Sequence, residues 1–280
     1  LPASGSTAMA FTKSSSVQIK NAVISGGNVH AQKKLTIIHL NDTHSHLEPE
    51  RSGEKNALGG VIERAAYRDS VVSADGKRNV LMLHAGDFNQ GTSYYSVLNG
   101  DIEVELVNAL RYDCITFGNH EFDNGIDDLA RRVARIKCPI VVANYDFSST
   151  PLGKYVKPYT IIRKAGLKIG IIGATSDLKS MVASSISSAL VQYDNAESIG
   201  AWSKYLHEEE GCDLIVFLSH LGYGEDQALV PKLHYVDIVI GGHTHTFVDD
   251  FVYVKDADGY EVPVITDGCW GYDLGEIVVK

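Results

Sequence analysis

From residue 34 onward, short apolar runs rich in β-branched residues alternate with longer stretches whose apolar positions recur every three or four residues. The runs 35–40, 80–85, 115–117, 140–143, 168–174, 214–218 and 236–240 predict strands. They are apolar at nearly every position rather than at alternate ones, so central strands covered on both faces are expected. The stretches 60–72, 102–110, 126–136, 198–209 and 226–233 predict amphipathic helices. Such alternation is the signature of an α/β domain. After Phe247 the texture changes: 251–254 and 262–265 alternate around Asp256-Ala257-Asp258-Gly259, which predicts a hairpin. No repeat interrupts the pattern, so one domain over 34–280 is expected. Residues 1–33 form an N-terminal arm rich in Ser, Gly, Ala and Asn, in which 16–24 alternates like a short edge strand.

The polar residues are concentrated where the strands end. Asn41-Asp42-Thr43-His44 follows the first, Gly86-Asp87 the second, and Gly118-Asn119-His120-Glu121, with Asp123, the third. Ser219-His220 and Gly241-Gly242-His243-Thr244-His245 close the sixth and seventh. In an open α/β sheet the carboxyl ends of the strands face one crevice, so these loops are expected to meet. What would meet there is Asp42, Asp87, Asn119, His44, His220, His243 and His245. That set is too large for one tetrahedral zinc site and suits two cations sharing a bridging group, with Asp87 placed to bridge. Mixed nitrogen and oxygen donors without thiolate favour zinc, iron or manganese. In Asp42-Thr43-His44 and His243-Thr244-His245 the spacing of two on extended backbone is expected to aim both side chains of each pair at one centre. Gly86, Gly118, Gly241 and Gly242 are expected where the chain turns sharply or passes close to an ion.

The formal net charge of −10 and a pI near 5.5 argue against nucleic acid as the main partner, since no basic cluster exists to displace counterions. A bound phosphate must then be held by metal ions or by helix N-termini. No apolar stretch approaches the roughly 20 residues that a membrane-spanning helix needs. Cys114, Cys138, Cys212 and Cys269 have no close pairing, and buried free thiols are expected ahead of a disulfide. The start at Leu1 without Met is expected to reflect processing.

Taken in order, Asp42-Thr43-His44, Gly86-Asp87, Gly118-Asn119-His120-Glu121, Ser219-His220 and Gly241-Gly242-His243-Thr244-His245 resemble the five motifs of the calcineurin-like metallophosphoesterases. Within that family, 40–46 and 117–125 are similar to the catalytic domain of bacterial 5'-nucleotidases. The resemblance implies an αββα sandwich, two mixed sheets flanked by helices. It implies one metal on Asp42, His44, Asp87 and His245, a second on Asp87, Asn119, His220 and His243, and a His120–Asp123 dyad that assists attack of a metal-bound hydroxide on phosphorus. It further implies a nucleotide-like substrate and a periplasmic, cell-surface or secreted location. Nothing in 34–280 corresponds to the C-terminal domain that holds the nucleoside in those enzymes, so a separate chain supplying it is an expected partner. Arg111 stands where the family is expected to have Gly, and no role attaches to it.

Taken singly, an Asp or His at a strand end reads as a cap or turn residue; five clusters at five strand ends do not. His39 and His84, inside strands, are expected to pack or to support ligands rather than bind metal. His46 is balanced between loop surface and substrate contact. His30, His207, His234 and 208–210 read as solvated and Trp202 as core, whereas Trp270 and Tyr272, near the expected mouth of the site, read as core ahead of base stacking. Three activities fit: hydrolysis of phosphate monoesters, cleavage of a 2',3'-cyclic nucleotide, or hydrolysis of a sulfur-based anion. The non-enzymatic alternative is a half whose selectivity a partner supplies.

Overall fold

The computed structural model describes residues 34–280 and, within the preceding arm, the backbone of one strand, Thr12–Val17. The strands form two large sheets. The first runs Thr12–Val17, Leu274–Val279, Leu35–Leu40, Val80–His84, Cys114–Ile115, Ile140–Val141 and Val156–Lys157, and is parallel except where Leu274–Val279 meets Leu35–Leu40. The second runs Val252–Lys255, Glu261–Ile265, Ile238–Ile240, Leu214–Ser219, Leu167–Ala174 and Tyr159–Lys164, parallel at its centre and antiparallel at both edges. Parallel register aligns the strand ends: Leu40 faces His84, and His84 faces Ile115.

Two-sided apolar strands require an apolar layer on each face. Leu35, Ile37, Leu81 and Leu83 of the first sheet pack between the sheets on Ile169, Ile171, Leu214 and Val216 of the second. The outer face of the first sheet (Ile38, Leu40, Met82) is covered by Val71, Val107 and Leu129 of the helices Val61–Asp75, Asp101–Ala109 and Ile126–Val133. The outer face of the second (Ile172, Ile215, Phe217) is covered by Ile199, Leu206 and Leu229 of Asn195–Glu208 and Tyr223–Leu229. The result is the expected αββα sandwich.

The differences have local causes. The expected strand 115–117 is observed as Cys114–Ile115, and 140–143 shrinks to Ile140–Val141 because the chain there leaves the first sheet for the second: the Ala143 amide donates to the Gly173 carbonyl at 2.8 Å. The last expected helix starts earlier, at Tyr223, and ends at Leu229; Pro231 limits the next turn to a 3₁₀ segment, Val230–Lys232. Unforeseen elements include the Thr92-capped helix Ser93–Leu98 and the strands Tyr159–Lys164 and Leu274–Val279. The last returns the chain to the first sheet and carries 267–272 past the strand ends.

The arm strand overlaps the expected 16–24 only at Ser16 and Val17; 18–24 and His30 lie outside the described residues. All four cysteines are unpaired, Cys114 and Cys212 buried, Cys138 and Cys269 half-buried. Arg111 is exposed with φ 55, the left-handed conformation that glycine favours. No described helix is long and apolar enough to cross a membrane.

Candidate metal centre

The loops that leave the parallel strands do converge, by a route other than the expected one. Asp42 (φ 49), His44 (φ 45), Asp87 (φ 54), His243 (φ 77) and His245 (φ 53) occupy the left-handed region instead of extended backbone. Each such residue is strained by about 1–3 kcal/mol and persists only where its surroundings over-determine it. Here they do: the Asp42 amide donates to the Gly86 carbonyl at 2.9 Å and the His44 amide to the Asp87 carbonyl at 3.0 Å. Of the four glycines, Gly86 turns at φ 89, whereas Gly118 is required by proximity, since a methyl there would sit 2.1 Å from Asp87 Oδ1 and 2.5 Å from His220 Nε2.

Three groups of ligand atoms result, each with all members within 4.8 Å of one another: Asp42, His44 and His245; His44, Asp87 and His120; and Asp87, His220 and His243. Asp87 and His44 each belong to two groups, so the groups form one continuous centre. His220 Nε2 lies 3.1 Å from Asp87 Oδ2 and 3.8 Å from Asp42 Oδ1. His44 Nε2 lies 2.9 Å from His245 Nε2, a distance at which two imidazole nitrogens need a proton or a cation between them. Asn119 is buried and lines the same cleft, its Oδ1 3.4 Å from the Ser176 hydroxyl. His120 Nδ1 is 2.8 Å from Asp123 Oδ2. The expected ligand residues and the expected dyad are therefore side by side.

The donors fit cations. His44 Nδ1 sits 3.1 Å from the Asn89 carbonyl and His220 Nδ1 2.6 Å from the Ala85 carbonyl, so each Nδ1 carries a hydrogen and each Nε2 is the atom turned toward the centre. Asp42 Oδ1 and His220 Nε2 are buried and face only other groups of this centre, Oδ1 with His245 Nε2 at 3.4 Å and Nε2 with Asp87 Oδ2 at 3.1 Å. Burial disfavours charge on Asp42 and Asp87, yet the neighbouring His220 holds both carboxyls below their usual range. Burial likewise opposes charge on His220, but Asp87 and Asp42 push its pKa up to about 10. Hydrogen bonds to Asp42 and Cys269 push His245 to about 10. The two carboxylates thus create a demand for positive charge at their centre, which divalent ions meet on displacing protons.

Around these residues lies support that residue spacing alone does not reveal. Glu121, fully buried, accepts from the amides of Asp87 (2.9 Å), Phe88 (3.0 Å), Asn89 (3.1 Å) and Gly118 (2.6 Å), tying two ligand-bearing loops together. Burial and the charge of Asp87 push its pKa up to about 7, against the pull of its amide donors. Its place beside Asn119 and His120 in the sequence was the signal for it. His84, held neutral by burial, accepts from the Gly86 amide at 3.2 Å and lies 3.1 Å from the Thr43 hydroxyl. His39 Nδ1 lies 2.6 Å from Asp267. Neither histidine enters the ligand groups.

Of the histidines read as solvated, His234 is exposed and pairs with Asp258, whereas His207 is half-buried and stacks on Tyr235. Trp202 packs on Tyr159 and Tyr205 as expected. Trp270 does not belong to the core. It is 37% exposed, stacks on His46 with ring centroids 4.7 Å apart, and both rings line a cleft of about 390 Å³ over the ligand residues.

Comparison with known proteins agrees with this geometry. A family model described as calcineurin-like phosphoesterase matches residues 35–247. The chain is 35% identical to a snake venom 5'-nucleotidase of Naja atra over 88% of its own length and 50% of that protein's. It is 33% identical to a probable 5'-nucleotidase of Treponema pallidum, covering 78% of this chain and 37% of the other. The crystal structure of a 5'-nucleotidase precursor from Thermus thermophilus superposes with a TM-score of 0.77 at 36% identity, covering 85% and 49% of the two chains. The chain thus spans half or less of these relatives' lengths.

Proposed function

The chain belongs to the calcineurin-like phosphoesterase family, and from that premise we propose that it hydrolyses phosphate monoesters, 5'-nucleotides among them, with two divalent metal ions. In this reading Asp42, His44, Asp87 and His245 hold one ion, Asp87, Asn119, His220 and His243 the other, and 34–280 is the catalytic domain. The supporting observation is the membership of Asp87 in two adjoining ligand groups. When bound, such ions make hydroxide available near neutral pH and offset the charge of the phosphate; zinc, manganese and iron suit the donor set.

The protein's own part is to orient and to move a proton. Left-handed turns fix the ligand side chains before any substrate arrives, so no reorganisation is needed during reaction. Asp123 accepts a hydrogen bond from Nδ1 of His120, which turns Nε2 toward the cleft as a donor to charge on the departing oxygen. The relatives named 5'-nucleotidases favour a monoester over a cyclic substrate, and with them we propose placement in the periplasm or at the cell surface.

The metal requirement is tested by removal and return. Dialysis against a chelator should abolish phosphate release from a 5'-mononucleotide, and added zinc, manganese or iron(II) should restore it at two ions per chain by elemental analysis. Undiminished turnover by the chelated protein, or faster turnover of a 2',3'-cyclic nucleotide, would overturn the reading. The dyad is tested by pH. The hydrogen bond to Asp123 raises the pKa of His120 above its ordinary value, so the protonated donor persists to higher pH and activity falls as pH rises through that pKa. Asp123→Asn should move the alkaline limb to lower pH and reduce kcat by about 10- to 100-fold, with metal content unchanged. An unmoved limb would remove His120 from its role.

A further inference from the structure

Beside the ligand residues the cleft has a second character. Trp270 and Met181, 37% and 48% exposed, line it together with His46. Large apolar side chains left open at the mouth of a polar site provide surface for a ligand to cover.

The aromatic pair is also built into the centre rather than draped over it. Trp270 is left-handed at φ 63, and its amide donates to the carbonyl of Asp42 at 2.7 Å. Gly271 lies directly on the buried Arg64, where a methyl would approach Nη1 to 2.8 Å. The same guanidinium holds the His46 carbonyl through Nη2 at 2.5 Å. Tyr272 meets the Trp270 ring edge-on and is tethered to Glu50 at 3.0 Å. One buried arginine and the Asp42 carbonyl therefore fix the backbone that carries both rings, which stack on each other, and a pre-positioned aromatic surface binds a flat partner at little ordering cost.

We propose that Trp270, stacked on His46, and Met181 form the apolar walls of a leaving-group subsite, which selects phosphate monoesters whose alcohol carries a planar aromatic ring. The proposal rests on the phosphoesterase reading and refines it: part of ring recognition resides in residues 34–280 and not only in a further domain. The phosphate sits over Asp87 and Asn119, and the ring lies along Trp270, whose stacking surface tolerates any planar group.

The test compares two esters and adds a readout that needs no turnover. Trp270→Ala should lower kcat/KM for phenyl phosphate about tenfold, and for glycerol phosphate less than about twofold, while Trp270→Phe retains most of the preference. Met181→Ala should act the same way with about a threefold loss. In a Trp202→Phe background Trp270 is the sole indole, and its fluorescence should be quenched saturably by phenylphosphonate but not by methylphosphonate. Equal losses on both esters, or no loss on either, would overturn the subsite while leaving the phosphoesterase reading intact. Absence of any ester turnover would overturn that reading, and the quenching would then decide the subsite alone: selective quenching sustains it and unselective or absent quenching ends it.

Discussion

Replacing Asp87 by alanine is expected to strip the protein of bound metal and to lower phosphate release by about a thousandfold or more, the scale on which losing one preorganised charge-stabilising group acts. Asp87 is 2% exposed and reaches both sides of the centre, with Oδ2 3.1 Å from His220 and 3.8 Å from His44. Its other oxygen accepts from the His120 amide at 2.9 Å, so the same carboxylate positions the residue proposed to serve the leaving group. A buried cation site without its central anion keeps the desolvation penalty and loses the attraction that offsets it. Asp87→Asn separates charge from shape: the amide fills the space but neutralises nothing, so metal affinity should fall nearly as far while the fold is kept. Elemental analysis and kcat measured on both variants check this. Retained metal with turnover within tenfold of wild type would sink the dinuclear proposal, because among the described residues no other carboxylate belongs to more than one ligand group.

How far this centre could be read from the chain depends on the physics behind each part. The meeting of Asp42, Asp87, His220 and His243 was legible because parallel pairing forces strand carboxyl ends to one edge, and the apolar runs announce parallel strands. The manner of meeting was not. Side-chain direction after Asp42 and His243 was inferred from extended backbone, whereas left-handed φ at both is imposed by tertiary hydrogen bonds that residue types do not encode. Glu121 was visible in its motif, but a carboxylate serving four amides from two loops is a property of the assembled fold. Trp270 was legible as a residue near the mouth, but core packing was favoured for it over stacking, for a related reason. Its position depends on the unforeseen strand Leu274–Val279, whose antiparallel pairing with Leu35–Leu40 draws 267–272 alongside Asp42. The signal existed, since Leu274, Ile277 and Val279 are buried and apolar; it was hidden by the surrounding glycines and charges.

Glu121→Ala should produce a large loss of stability although Glu121 is not itself an expected ligand. The carboxylate is fully buried and receives amides from residues 87, 88, 89 and 118. Removing it leaves those donors without partners away from water, each costing about 1–3 kcal/mol before relaxation. Partial rearrangement and an entering water reduce the sum, so a loss of about 3–5 kcal/mol is expected, or a fall in Tm of about 10 °C for a domain of this size. Denaturant unfolding of the metal-free protein measures it without interference from bound ions. Glu121→Gln should fall between, because one carbonyl oxygen still accepts while the amide NH₂ faces other donors. The Asp87 and Gly118 amides are among those released, so metal affinity should drop in variants that remain folded, by about 10- to 100-fold as for other residues that orient ligands. Unfolding within about 1 kcal/mol of wild type would mean that the four amides find other partners. The loops carrying Asp87 and Asn119 would then be held by the metals themselves rather than poised in advance of them.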